Sequence, residues 1–493
     1  MSPRRRHVPI AGLLAVAVVV AAGCGTATDV EMPLGAPPTV SSVPTGDLLL
    51  APADVVDATG SAPTQVSTTI PLGPDPDAGP SSADPAVDDA ATAATAGVST
   101  TAAPTTVAST TVAPASTGSP LAAEQVVDPV ASTVAPSTTA APTGWAAFDQ
   151  HLTESILAPG SQAVSATVLR DGEIVHRMAL GDRTAGGDEV EVTDRFRVAS
   201  ISKVVTSIAV LRLAQAQVLD LDAPVGERLA AVVGVAPTEA VRRITTRDLL
   251  AHRSGIAQYE KLMFDRRVES CPQAGAAALG APLEREPGTT YRYSNVNFCL
   301  LGLLVENVTG LPYEEFVRAE LLRPLGIDEG MRLAGTFDVR DGDVEHDSKA
   351  GRNYMETLDA AGSWIASPTD IARIIDSLDP STPGYAPLGP GALAQMTTIT
   401  VDPPAPPAAA PADGSAPTTT VDPGPPTKGY GLGLIVFGPG SYGHTGTLES
   451  THAMTVRRPD GITWTVLVSG DHPSSSRSLA GIVDEALRLA GEA

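Results

Sequence analysis

Ser200 and Lys203 stand one helical turn apart in the run Ser200-Ile201-Ser202-Lys203. At positions i and i+3 of a helix the two side chains share a face. A serine hydroxyl is a weak nucleophile until a base takes its proton. A lysine buried on an apolar helix has its charged form disfavoured, so it can act as that base. Composition bears on the choice of residue: only four of the 32 basic side chains are lysines, at positions 203, 261, 349 and 428. Arginine would supply positive charge equally well but cannot release its proton. The same spacing also fits an ordinary capped helix, and alone it does not separate the two.

Two more clusters carry chemistry. Tyr293-Ser294-Asn295 follows Glu286-Pro287-Gly288 and opens a helical pattern. Tyr293 could relay a proton between nucleophile and leaving group, and a cationic Lys203 nearby would favour its anion. Asn295 could donate and accept hydrogen bonds with a substrate amide or carbonyl. His444-Thr445-Gly446-Thr447 lies between two strand patterns. Gly446 on an inner edge strand would let a substrate backbone approach closely. The backbone N–H of Thr447 could pair with that of Ser200 as an oxyanion hole. A packed Tyr, a capping Asn and a chance His-x-Gly are the alternatives.

The elements that must position these groups follow from periodicity. A helical pattern near Trp145–Leu157 precedes a hairpin, with Ala163–Leu169 and Glu173–Leu180 as strands and Asp171-Gly172 at the turn. Phe196-Arg197-Val198 is strand-like and leads into Ser200. Ile201, Val204, Val205, Ile208 and Leu211 then repeat at helical spacing, and the helix is apolar almost all round, so it should be central and buried. The middle of the chain is mostly helical, over Thr245–Ala251, Asn295–Val308, Pro312–Leu322 and Pro368–Leu378. Ser367 caps the last of these, with Pro368 and Asp370 in its first turn. Strand patterns return at Gly429–Val436 and Ala453–Val468, the latter broken at Pro459-Asp460-Gly461, before a final helix at Ser478–Leu489. Strands at both ends with helices between predict an α+β fold: one antiparallel sheet flanked by helices, with a mostly helical second lobe.

Composition divides the 493 residues unequally. Residues 24–143 are rich in Ala, Thr, Pro, Ser and Val, and from Gly25 to Thr143 they contain no Lys or Arg. Such a stretch cannot bury enough apolar surface to offset chain entropy, so it is expected to be a disordered tether. As a flexible coil it would average about 60 Å end to end. Residues 144–493 are the expected folded domain, with a second Pro/Ala/Thr-rich stretch at about 400–427 expected as a disordered loop. The net charge of −24 makes nucleic acid a poor partner.

The first 23 residues have the layout of a leader. Arg4-Arg5-Arg6 precede an apolar run from Val8 to Ala22, too short for a comfortable membrane span but suited to a secretory signal. Ala21-Ala22-Gly23-Cys24 resembles a bacterial lipobox, which would make Cys24 a lipidated N-terminus held at the outer face of the cell membrane, facing the cell wall. An ordinary cleaved signal with an incidental cysteine is the alternative. An exported chain lives in oxidising surroundings, so Cys271 and Cys299 are candidates for a disulfide, with two buried thiols as the other reading. No Cys/His or His/Glu cluster has metal-ligand spacing, and neither a metal nor a cofactor is expected. No Gly-x-Ser-x-Gly occurs, which argues against an α/β-hydrolase.

Taken together, Ser-x-x-Lys, Tyr-x-Asn and His-x-Gly in this order resemble the serine β-lactamase and penicillin-binding superfamily. The similarity is to the branch holding class C β-lactamases, D-alanyl-D-alanine carboxypeptidases and esterases. Phe196-Arg197-Val198-Ala199, Thr246 through Gly255, Pro287 through Gly302 and Tyr430-Gly431-Leu432-Gly433 add to the likeness. The resemblance implies that Ser200 is acylated while Lys203 and Tyr293 share the base and acid roles. It implies that Asn295 contacts substrate, that His444, Thr445, Gly446 and Thr447 line the opposite wall, and that His252 and Ser254 are structural. The substrate would be a small molecule or a peptidoglycan peptide. His444 stands where many members of the branch carry Lys. A neutral imidazole holds a carboxylate less strongly, which favours esterase or D-amino-acid peptidase activity over β-lactam hydrolysis.

Overall fold

The computed structural model describes residues 142–265, 267–400 and 428–492. Cys24, the expected leader, the tether up to residue 141 and the loop at 401–427 lie outside the described residues.

Two sheets organise the fold. The larger has seven strands in the order β2-β1-β10-β9-β8-β7-β6, every neighbouring pair antiparallel. Its members are β1 (Ala163–Arg170), β2 (Glu173–Gly181), β6 (Gly429–Tyr430), β7 (Ile435–Gly438), β8 (Ser441–Leu448), β9 (Thr451–Arg457) and β10 (Ile462–Ser469). The first and last strands of the domain meet directly, with Ala163 opposite Ser469 and Arg170 opposite Ile462. The smaller sheet joins β3 (Phe196–Arg197), β5 (Trp364–Ala366) and β4 (Arg332–Leu333). The single strand expected at Gly429–Val436 is two, because Gly433 takes a left-handed φ of 79° and breaks the pleat.

Each face of the large sheet is covered, so β1 and β10 are buried on both sides. One face carries Val164, Ala166, Val168, Trp464, Val466 and Val468 against helices α1 (Trp145–Leu152) and α7 (Ser478–Ala490). The other face carries small hydroxyls that meet helix α6 (Pro368–Asp376). Thr167 and Thr369 hydroxyls lie 2.9 Å apart, and Thr463 donates to Asp376 at 2.6 Å. Ser367 and Asp370 form the expected capping box at the start of α6, a device worth about 1 kcal/mol.

The helical lobe is built around α2 (Ser202–Gln215) and α5 (Asn295–Thr309), both buried nearly all round. The helix expected from Ser200 begins two residues later: Ala199–Ile201 is a 3₁₀ turn, entered through Ala199 at φ 49°. Helix α3 (Thr246–Leu250) is capped by Thr245 and Asp248. Helix α4 (Cys271–Leu279) is bridged to α5 through Cys271 and Cys299, whose Cα atoms are 5.6 Å apart. Among the described residues no single helix is long and apolar enough to cross a membrane.

Candidate active site

The candidate site forms where α2, α5 and β8 converge. β3 delivers the chain into the 3₁₀ turn, and the Val198 N–H donates to the carbonyl of Trp364 at 3.2 Å. That anchor fixes Ser200 at the mouth of the turn. Lys203 follows in the first turn of α2, with no exposed surface.

Three acceptors surround the Lys203 ammonium: Ser200 Oγ at 3.0 Å, Asn295 Oδ1 at 2.7 Å and the carbonyl oxygen of Ala361 at 2.8 Å. Its Nζ also sits 5.0 Å from the ring centre of Tyr293 and 5.7 Å from that of Phe298. Such aromatic faces attract a cation. The Tyr293 hydroxyl donates to Ser200 Oγ at 2.8 Å. Ser200, Lys203, Tyr293 and Asn295 are therefore one hydrogen-bonded set, drawn from the 3₁₀ turn, α2, α5 and the loop before α5. Ala361 had no signature in the sequence, because a backbone carbonyl is contributed by the turn and not by a residue type. Thr206 donates to the carbonyl of the neighbouring Ala360 at 2.7 Å, which keeps that turn against α2.

The third motif lies on β8 across from the turn. Gly446 is set close by packing: a Cβ there would stand 2.3 Å from the carbonyl oxygen of Val198 and 3.1 Å from the Cβ of Ala199. The close backbone approach expected at this glycine is thus made by the chain itself, to the turn carrying Ser200. Thr445 and Thr447 alternate onto the opposite face. The Thr447 hydroxyl pairs with Ser476 Oγ at 2.7 Å, and Ser476 donates to the carbonyl of Gly446 at 2.5 Å. The Thr447 side chain is thus held by Ser476. β7 pairs with β8 only over Ser441–Gly443, so beyond Gly443 that edge of β8 has no strand partner among the described residues.

His444 stands beside Thr445 and Tyr430 on the lining of a cavity, with its ring buried. Nδ1 lies 2.6 Å from the carbonyl of Thr445, an acceptor, so it carries the proton, and Nε2 accepts from the Tyr430 hydroxyl at 3.2 Å. Burial first, and then the nearby Lys203 charge, push the His444 pKa down to about 3. Burial raises Tyr430 well above the ordinary phenol, which keeps it a donor. His444 and Tyr430 are therefore a neutral pair. His252 is fully buried behind Tyr293, ring centres 4.2 Å apart, and burial drives its pKa well below 6.5. Among the described residues no group of His, Cys, Asp or Glu is placed to hold a metal ion.

The family model described as Beta-lactamase matches residues 146–488, which is most of the chain. The chain belongs to the β-lactamase family. This family of serine hydrolases is represented among its relatives by esterase EstB of Burkholderia gladioli, 35% identical over 197 residues, covering 37% of this chain and 49% of that protein. Penicillin-binding protein 4 of Amycolatopsis lactamdurans is 32% identical over 187 residues, covering 38% of this chain and 48% of that one. The matched stretch thus spans about half the length of these curated relatives. Among solved structures, a D-stereospecific amidohydrolase from Streptomyces sp. aligns with a TM-score of 0.52 at 26% identity, over 69% of this chain and 97% of the other. The α+β architecture is that of the β-lactamase family, with the sheet and the helical lobe meeting at Ser200.

Proposed function

We propose that this chain is an exported serine hydrolase that transfers the acyl group of an ester or amide onto Ser200 and releases it to water. One observation carries the reading: Ser200 Oγ is met by both Lys203 Nζ, at 3.0 Å, and the Tyr293 hydroxyl, at 2.8 Å. A base and an acid on one hydroxyl are what an activated nucleophile needs. In the forward step the Ser200 oxygen bonds to the substrate carbonyl carbon and its proton passes to the Lys203–Tyr293 pair. The tetrahedral oxyanion rests against the backbone N–H groups of Ser200 and Thr447. The pair returns the proton to the leaving alcohol or amine as the acyl bond breaks, and water repeats the sequence to free Ser200.

The neutral His444–Tyr430 pair favours substrates that do not depend on a cation at that wall. Esters and D-amino-acid amides fit better than β-lactams or peptides ending in a free carboxylate. This agrees with relatives named as an esterase and a D-stereospecific amidohydrolase. β-Lactam hydrolysis is the second reading, favoured by the family match itself. Attachment to the outer face of the membrane through Cys24, with the acidic Ala/Thr/Pro-rich stretch as a tether toward the cell wall, completes the proposal.

Incubation with a fluorophosphonate followed by peptide mass analysis should place the label on Ser200. An unlabelled Ser200, together with full turnover by Ser200→Ala, overturns the reading. A panel of p-nitrophenyl esters, D-amino-acid amides and nitrocefin should show esters and amides turned over faster than the β-lactam. Cys24→Ala should release the protein into the medium with its hydrolysis intact.

A further inference from the structure

We infer that His252 is a positioning residue: as a neutral imidazole protonated on Nε2, it ties the Tyr293–Asn297 segment in place and so sets Tyr293 and Asn295 against Ser200 and Lys203. The inference rests on the hydrolase reading above for its catalytic consequence, and on geometry alone for its structural part.

A chain of donors fixes the tautomer. The Ile256 N–H donates to Ser254 Oγ at 3.2 Å, which leaves the Ser254 hydrogen for Asn297 Oδ1 at 2.7 Å. The Asn297 amide nitrogen is thereby turned to His252 Nδ1, at 3.2 Å. The Ser294 N–H donates to the same Nδ1, also at 3.2 Å. An atom accepting two N–H groups carries no proton, so Nε2 does. His252 Nε2 is buried with no nitrogen or oxygen partner. It is enclosed by the rings of Tyr293, Tyr430 and Phe298, with centres 4.2, 5.0 and 5.1 Å from its own.

That orphaned donor is the telling feature. A phenylalanine would fill the same aromatic cage without leaving a buried N–H unmet, and such an N–H is costly. The imidazole is tolerated for what its other nitrogen does. The surrounding bonds act together: the Arg292 N–H donates to the His252 carbonyl at 2.7 Å, Gln258 Nε2 to the Tyr293 carbonyl at 3.0 Å, and Ser294 Oγ to the Ala257 carbonyl at 3.2 Å. Residues 252–258 are the bed on which Tyr293 lies. The titratable groups facing the ring are Lys203, His444, Tyr291, Tyr293 and Tyr430. None is a carboxylate that would stabilise a charged imidazole.

The test uses the full chain in two variants. His252→Phe keeps the ring and loses the acceptor; His252→Asn loses the ring and keeps an acceptor near Nδ1. Rates on a p-nitrophenyl ester are normalised to sites titrated with a fluorophosphonate. His252→Phe should lower kcat about 100-fold, the scale of a roughly 1 Å misplacement of a reacting group, with KM nearly unchanged, and His252→Asn should restore most of it. Equal kcat in His252→Phe and the native chain overturns the inference, as does equal loss in both variants. If His252→Phe does not fold, Ser254→Ala takes its place: it frees Asn297 and should lower kcat at native KM, while native kcat there overturns the inference. Nitrogen NMR of histidine-labelled protein should show His252 unprotonated at Nδ1 and protonated at Nε2 from pH 5 to 9, and a protonated Nδ1 refutes the clamp. This readout holds even if Ser200 proves unreactive, so failure of the clamp and failure of the hydrolase reading are told apart.

Discussion

Acidification should unfold this domain early, and the slope can be worked from its buried histidines. His252, His346 and His444 are all buried and neutral. Burial, reinforced by Lys203 or Arg197, brings His346 and His444 down to about 3 and His252 well below 6.5. Once unfolded, each binds a proton below about pH 6.5. The folded pKa values are depressed, so the unfolded state holds more protons between about pH 6 and 4, and stability falls with pH in that window. Three groups give about 4 kcal/mol per pH unit. Asp359 opposes them: burial and Glu306 raise its carboxyl from 3.8 to about 6, so in this range the folded state holds one proton more. His452, a fourth buried histidine lowered by burial, adds to the loss, while Asp248 and Asp370, raised by burial, subtract from it. The net is on the order of two protons, which corresponds to about 2.7 kcal/mol per pH unit.

Against a typical total of about 5–15 kcal/mol, that loss is large, and for a domain of this size it lowers the melting temperature by about 4 °C per pH unit. Thermal melts followed by circular dichroism between pH 6 and 4.5 measure it. His346 lies outside the reacting centre, and His346→Asn should remove one proton from the slope. A melting temperature flat from pH 6 to 4.5, or a slope unchanged by that substitution, refutes the reasoning.

Other substitutions separate the roles at Ser200. Lys203→Arg keeps the charge but cannot release a proton, and should cut kcat by about 10²–10⁴; a rate within tenfold of native in stopped assays removes Lys203 from proton transfer. Tyr293→Phe should harm an amide more than a p-nitrophenyl ester, because nitrophenolate leaves without a proton, and equal losses on both substrates contradict an acid role. Reducing the Cys271–Cys299 bridge, which closes a separation of 28 residues, should cost about 3.5 kcal/mol, or about 5 °C in melting temperature; an unchanged melt after thiol treatment shows that the bridge contributes nothing. Gly446→Ala forces a Cβ to within 2.3 Å of the Val198 carbonyl and should destabilise by about 1–3 kcal/mol, while native stability by denaturant titration would mean that the turn yields freely.

What the sequence makes legible is local and periodic. The Asp171-Gly172 hairpin, the Ser367–Asp370 capping box and the apolar all-round helix carrying Lys203 each follow from residue types within a few positions. The pairing of β1 with β10 follows from strands at both ends of the domain. The start of α2 does not: Ser200 sits in a 3₁₀ turn because Ala199 takes a left-handed φ of 49°, and alanine gives no sign of that. The split between β6 and β7 hangs on Gly433, where a Cβ would stand 1.7 Å from Ser207 Oγ, a tertiary contact no local pattern encodes. At the site, Ser200, Lys203, Tyr293 and Asn295 are readable by type. The Ala361 carbonyl and the Tyr430 partner of His444 are not, because each depends on which remote backbone or ring the fold brings near.

The arrangement around Lys203 also suits it to act as a base without moving. Its Nζ meets Ser200 Oγ, Asn295 Oδ1 and the Ala361 carbonyl. The last two atoms can only accept. As a neutral amine, the form a base must take, Lys203 keeps its two N–H groups on those acceptors and turns its lone pair to Ser200. The serine hydrogen then has one place to go, since the Tyr293 hydroxyl already donates to the same oxygen. The same lysine helps hold both His252 and His444 below their ordinary pKa. The neutral histidines and the lysine are therefore coupled: a positive charge on Lys203 disfavours one on either ring.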